Sequence, residues 1–228
     1  MKVDNTRGGT TDTGSGANIA SNNDNTENFS GNGGRDRRGE KTGEGVDRII
    51  NKGMRKFLIS DKMIELLNNQ LQDEMINHNL YRSFSLYFRS RGLDSLCEYF
   101  ELRAKEELEH HDWIYGYLKM CGIPIQYPEI PATNVDVEDE ITPFKMTVDK
   151  EIETTMYINE IAKEALEQGD FGTFAWLNGN GTCEGKLIPE QTEEMAISNE
   201  ISRIASRVDA DWIAKGDAIL SYYKSTRP

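Results

Sequence analysis

Four stretches of this 228-residue chain repeat apolar residues at steps of three and four, and each places a carboxylate on the same stripe. Such spacing predicts amphipathic helices whose inner faces share one core. The first stripe runs through Met63, Leu67, Leu71, Glu74, His78, Tyr81 and Phe88, with Ser60 as N-cap and Gly92 as its stop. The second follows Asp94, read as its cap, and carries Leu96, Phe100, Arg103, Glu107, His110, Ile114 and Tyr117 up to Gly122. Two long helices joined by a short turn read as an antiparallel pair. The third opens on Thr142 and Pro143, a capping residue and a proline at the first helical position, and continues through Phe144, Val148, Glu151, Thr155, Ile158 and Ala162 to Gly169. The fourth starts behind Asp170, is interrupted by Gly179-Asn-Gly-Thr-Cys-Glu-Gly185, and resumes near Pro189 with Gln191, Glu194, Ser198, Ile201, Ala205 and Val208. Residues 211–223 predict a short fifth helix.

Between the second and third stripes lies Gly122 to Glu140, with Pro124, Pro128 and Pro131. That is too long for an ordinary bundle turn and about right for crossing the length of a helix. No strand pattern or internal repeat competes. The expected fold is therefore all-α: a four-helix bundle with a long crossover between helices two and three, and a short C-terminal helix.

The acids inside the stripes point to chemistry. A bundle helix buries apolar groups, yet the predicted inner faces carry Glu74, Glu107 with His110, Glu151, and Glu194 with Gln191. A buried unpaired carboxylate costs several kcal/mol or takes up a proton, so a group of them calls for a cation. Glu107 and His110 are three residues apart, which puts both on one helix face, and Gln191 with Glu194 repeats that spacing. Carboxylate oxygens with one imidazole suit ferrous iron or manganese better than metals that seek thiolates. A single helical Glu is ordinarily a solvated surface residue, and only the conjunction of four in-phase stripes with the crossover outweighs that reading.

Charge and composition exclude other classes. The net charge is −13, which argues against a nucleic-acid or anionic-membrane partner. No apolar run approaches a membrane span, and the N-terminus has no basic-then-apolar signal pattern. Cys97, Cys121 and Cys183 are odd in number and far apart, as expected of free thiols in a reducing compartment, so a cytoplasmic protein is expected. Residues 1–45 hold ten of the 20 glycines, and Phe29 is the single aromatic residue among the first fifty, which predicts a disordered extension at 1–53 ahead of a folded domain at 54–228.

Di-iron carboxylate bundles in general use one Glu from each of two helices and Glu-x-x-His from the other two, and this chain departs from that pattern by offering Gln191-x-x-Glu194 in place of the second Glu-x-x-His. The runs Leu67-Asn-Asn-Gln-Leu-Gln-Asp-Glu74, Glu106-Glu-Leu-Glu-His110, Lys150-Glu151 with Ile158-Asn-Glu160, and Glu190-Gln-Thr-Glu-Glu194 resemble the non-haem bacterial ferritins, from about Phe57 to the C-terminus. The resemblance implies a ferroxidase centre in which Glu74, Glu107 and His110 hold one iron. Glu107 would bridge to a second held by Glu151 and Glu194, with Gln191 close by and Tyr81 hydrogen-bonding beside the site. It implies a third iron position at Glu106, Glu190 and Glu193, with Glu194 shared. It further implies oxidation of Fe²⁺ by O₂, storage as a ferric mineral, and a 24-subunit cage. Haem is not expected, because Leu108 stands where haem-binding relatives carry Met. By the same resemblance His78 is read as a hydrogen-bonded core histidine and the Gly179–Gly185 run as an insertion near the pore-lining part of the fourth helix, while His111, off the stripe, is read as a flank residue.

Two other readings are weighed. A rubrerythrin-type di-iron oxidase or peroxidase normally carries Glu-x-x-His twice and often a cysteine-rich module, and neither is present. A helical scaffold or shell protein without iron chemistry is the non-enzymatic alternative.

Overall fold

The computed structural model describes residues 59–127, 129–133 and 135–227. The expected N-terminal extension at 1–53 and positions 54–58 of the expected domain therefore lie outside the described residues. Among the described residues there are six helices and no strand: α1 Asp61–Arg89, α2 Asp94–Met120, α3 Thr142–Gln168, α4 Phe171–Leu177, α5 Leu187–Ala205 and α6 Trp212–Thr226. Helices α1, α2, α3 and the broken α4/α5 form the bundle, and α6 packs against α2 and α5. The all-α bundle with its 122–140 crossover is as the stripes foretold.

Local chemistry sets the helix ends. Ser60 caps α1, its hydroxyl accepting the Met63 N–H at 3.1 Å. Asp170 does the same for α4 through Thr173 N–H at 3.0 Å, and Asp211 for α6 through Ala214 N–H at 2.8 Å. Two expected caps are corrected. Asp94 is the first residue of α2 rather than its cap, and it pairs instead with Arg89 across the turn. Thr142 is itself helical, and the capping oxygen belongs to Asp139, whose Oδ1 accepts from both Ile141 N–H and Thr142 N–H. An aspartate two or three residues upstream reaches those amides where the first-turn threonine cannot. At the other end of α3, Gly169 turns the chain in the left-handed region at φ 70°.

The fourth bundle element ends at Ala205, so Val208 is not on its stripe; it is fully exposed in the turn before α6. The insertion between α4 and α5 folds back over Trp176, whose indole N–H donates to the Glu184 carbonyl at 3.0 Å. Trp176 is buried and stacks on Tyr117 with centroids 4.2 Å apart. Gly185 passes so close that a Cβ there would lie 2.1 Å from the indole nitrogen, which makes glycine the only residue that fits.

The apolar core is divided in two. One cluster holds Met63, Leu67, Leu71, Ile114, Ile158, Ile161 and Trp176; the other holds Tyr81, Phe84, Phe88, Phe100, Phe144, Ile197 and Ile201. The carboxylates occupy the layer between them, at the middle of each bundle helix. No described helix is long and apolar enough to cross a membrane.

Candidate metal centre

Each bundle helix contributes to one buried polar layer. Glu74, Glu107, His110, Glu151, Gln191 and Glu194 are each at most 4% exposed. Their helical phase puts them there, since each sits one turn from apolar residues that must face inward. Three groupings bring ligand atoms within 4.8 Å of one another: Glu74, Glu107 and His110; Glu107, Glu151 and Glu194; and His110, Glu190 and Glu194. Glu107 belongs to the first two groups, which is the geometry of a bridge.

At the first position, His110 Nδ1 lies 3.8 Å from Glu74 Oε2 and 3.8 Å from Glu107 Oε2. Gln70 donates to Glu74 Oε1 at 2.8 Å and orients that carboxylate. The other oxygen, Oε2, is buried and accepts no hydrogen bond from any described residue. An unsatisfied buried carboxylate oxygen is costly unless a cation or proton completes it. Burial raises the Glu74 carboxyl well above the ordinary range, only partly offset by His110. Burial works in the opposite sense on His110, but Glu194, Glu107 and Glu74 together hold its pKa up at about 10. Glu107 experiences the same burial, yet the neighbouring His110 and Arg103 keep it below its usual value. Two carboxylates and an imidazole converging on one buried point fit a divalent ion of the iron type.

At the second grouping Glu107, Glu151 and Glu194 converge, with Tyr81 and Gln191 beside Glu151. Tyr81 donates to Glu151 Oε1 at 2.7 Å, and Gln191 Nε2 donates to Glu151 Oε2 at 2.8 Å. Tyr81 is held in its protonated form by burial and by the adjacent Glu151. It also contains a residue to which the sequence stripe assigned no role. Arg103, completely buried one helical turn before Glu107, donates Nη1 to Glu194 Oε1 at 2.8 Å and to Glu106 Oε2 at 2.9 Å. Its Nη2 donates to Glu151 Oε1 and reaches Glu107 Oε1 at 3.4 Å. Burial pushes the Glu194 carboxyl up to about 8 even with Arg103 and His110 beside it.

The residues expected at a third position are less buried and are also paired with an arginine. Glu190 is buried, Glu106 is partly exposed and Glu193 is mostly exposed. Arg227, brought back by α6, pairs with Glu190, and its guanidinium lies 3.3 Å from Glu106, 3.6 Å from Glu193 and 3.5 Å from Glu194. Among the other titratable residues, His78 is turned away from the layer, with Nδ1 2.6 Å from the Ala104 carbonyl, in keeping with a core histidine. His111 is buried and sits beside Asp112, and the three cysteines are free and outside the three groupings.

A family model described as the ferritin-like domain matches residues 64–181, just over half of the chain. The chain belongs to the ferritin family. Among curated ferritins it is similar to a bacterial non-heme ferritin of Staphylococcus aureus, 24% identical over 68% of this chain and 89% of that protein. A bacterial non-heme ferritin of Campylobacter jejuni is 26% identical over 61% of this chain and 80% of that protein. Among solved ferritins, the open-pore ferritin of Archaeoglobus fulgidus matches with a TM-score of 0.65 at 24% identity, over 71% of this chain and 98% of that one. The ferritin of Chlorobium tepidum matches with a TM-score of 0.61 at 23% identity, over 74% of this chain and 98% of that one. These structures bear on the fold. The family-model match stops before α5, so Gln191 and Glu194 are placed by the helix geometry of this chain rather than by that match.

Proposed function

We propose that this chain stores and detoxifies iron, oxidising Fe²⁺ with O₂ at the carboxylate layer inside the subunit and passing the ferric product to a mineral held in a protein shell. The observation that carries the reading is the convergence of Glu74, Glu107 and His110 around a buried carboxylate oxygen that lacks a hydrogen-bond donor. Ferrous iron is the substrate. Several carboxylates in a low-dielectric layer favour Fe³⁺ over Fe²⁺, which lowers the reduction potential and drives electron transfer to O₂. His110 and Glu74 give up protons as the ion binds. Tyr81 and Gln191 hold Glu151 in place, and Gln70 holds Glu74. A 24-subunit shell, a cytoplasmic location and the absence of haem complete the reading.

The test is aerobic. The purified protein is supplied with Fe²⁺ while ferric absorbance is followed, and the product is viewed by electron microscopy. Hollow particles with electron-dense cores are expected. Oxidation without particles would favour a rubrerythrin-type oxidase, and particles without oxidation would favour a scaffold.

A further inference from the structure

The three cation positions of the layer are not equivalent, because two of them already contain a guanidinium, a protein cation that cannot vacate its charge by losing a proton. We propose that Arg103 and Arg227 are the resident cations of the second and third positions. Each subunit then binds one divalent ion at Glu74, Glu107 and His110, and accepts a second only by displacing the Arg103 guanidinium.

The second position consists of Glu107, Glu151 and Glu194, and the Arg103 guanidinium contacts all three, together with Glu106. It is completely buried, so it has no water to retreat to without a movement of its side chain. A divalent ion on those same oxygens would sit about 2.0–2.2 Å from them. The guanidinium nitrogens hydrogen-bond the same acceptors, with Nη1 2.8 Å from Glu194 Oε1. Two cations on one set of acceptors repel strongly in a poorly screened interior, so occupancy is exclusive. A lysine could relieve that repulsion by losing its proton, whereas a guanidinium stays charged at any working pH. The planar five-donor fork also suits this place, since it spreads over carboxylates from three helices at once.

Arg227 repeats the device at the rim. It lies among Glu106, Glu190, Glu193 and Glu194, the set to which a third ion would bind. Its position depends on α6 packing along α2 and α5, where Tyr99 and Tyr223 meet edge to face at 5.1 Å and Lys224 pairs with Glu98 at 2.5 Å. The first position differs, since among the described residues no lysine or arginine pairs with Glu74, whose charged neighbour is His110.

The inference rests on the metal-binding reading above. It is tested by anaerobic calorimetric titration of the full chain with Co²⁺, an ion that O₂-free buffer leaves in one oxidation state. Wild type is expected to take up one Co²⁺ per subunit, with any second at least tenfold weaker. Arg103→Gln is expected to take up two. Arg227→Gln is expected to gain a weaker rim site while the first stays unchanged. Two equally tight ions in wild type would overturn the proposal, as would a single ion in a folded Arg103→Gln. If Arg103→Gln does not fold, the wild-type stoichiometry still decides the matter, one ion supporting the proposal and two equal ions overturning it. No Co²⁺ bound to wild type would overturn the metal-binding reading along with it, so the two failures are distinguishable.

Discussion

The first and second positions of the carboxylate layer share Glu107 and are about equally buried, yet they balance their charge differently. At the first, Glu74 keeps an oxygen without a donor and depends on a proton or an incoming cation. At the second, Arg103 already satisfies Glu151, Glu194 and part of Glu107. The contrast shows that a set of acids typical of a two-metal site does not fix how many metals it holds. The cation inventory of the folded chain does.

The largest effect is expected at the first position. His110→Ala or Glu107→Ala removes a proposed ligand and should cut Co²⁺ affinity by more than about 100-fold, beyond the 10–100-fold typical of outer partners. Rapid ferrous oxidation should be lost with it. Stopped-flow absorbance and titration check both, and wild-type behaviour in either variant would break the comparison at its better-supported end.

Stability sharpens the second position. Deleting the positive partner of a buried ion cluster costs about 3–5 kcal/mol, so metal-free Arg103→Gln should unfold at correspondingly lower urea. Added Co²⁺ should restore much of that loss, because the ion takes the guanidinium's place. Denaturant titration with and without metal reads both quantities, and an unchanged midpoint would mean that Arg103 is not what balances these acids.

The smallest effect is on pH dependence. His110 is raised from 6.5 to about 10, Glu194 from 4.5 to about 8 and Asp73 from 3.8 to about 6, the last chiefly by burial. A raised folded-state pKa contributes stability that is present below the unfolded value and lost as pH climbs through the folded one. All three therefore act in the same direction, and metal-free protein should lose thermal stability between about pH 4 and pH 10, Asp73 acting at the low end and His110 at the high end. Co²⁺-loaded protein should show a flatter profile, since metal binding has already expelled those protons. Melting curves across that range check the sign.

Much of this architecture was legible in the sequence because helical phase is a local property. The stripes place Glu74, Glu107, His110, Glu151, Gln191 and Glu194 in one layer, and Ser60, Asp170 and Asp211 mark helix starts that the structure keeps. What was not legible depends on reach and on tertiary packing. Arg103 stands on the stripe in plain view, one turn before Glu107, but whether a long side chain turns inward or extends to water is decided by neighbours on other helices. A cation in phase with four acids is nonetheless a signal that charge counting within the stripe would find. Arg227 gives no such signal, because its place follows from α6 folding back along α2. The caps at Asp94 and Thr142 failed for a smaller reason, a shift of one or a few residues in which oxygen reaches the first free amides. The 179–185 run is an interruption as expected, but its packing on Trp176 depends on the close approach of Gly185 that only the fold shows.

The most direct test is the anomalous diffraction of crystals of the full chain soaked with Co²⁺ and measured at the cobalt edge. The account predicts one strong peak per subunit, bonded to Glu74, Glu107 and His110, with the Arg103 guanidinium still on Glu151 and Glu194. Two peaks of equal height on either side of Glu107, or none in the layer, would contradict it.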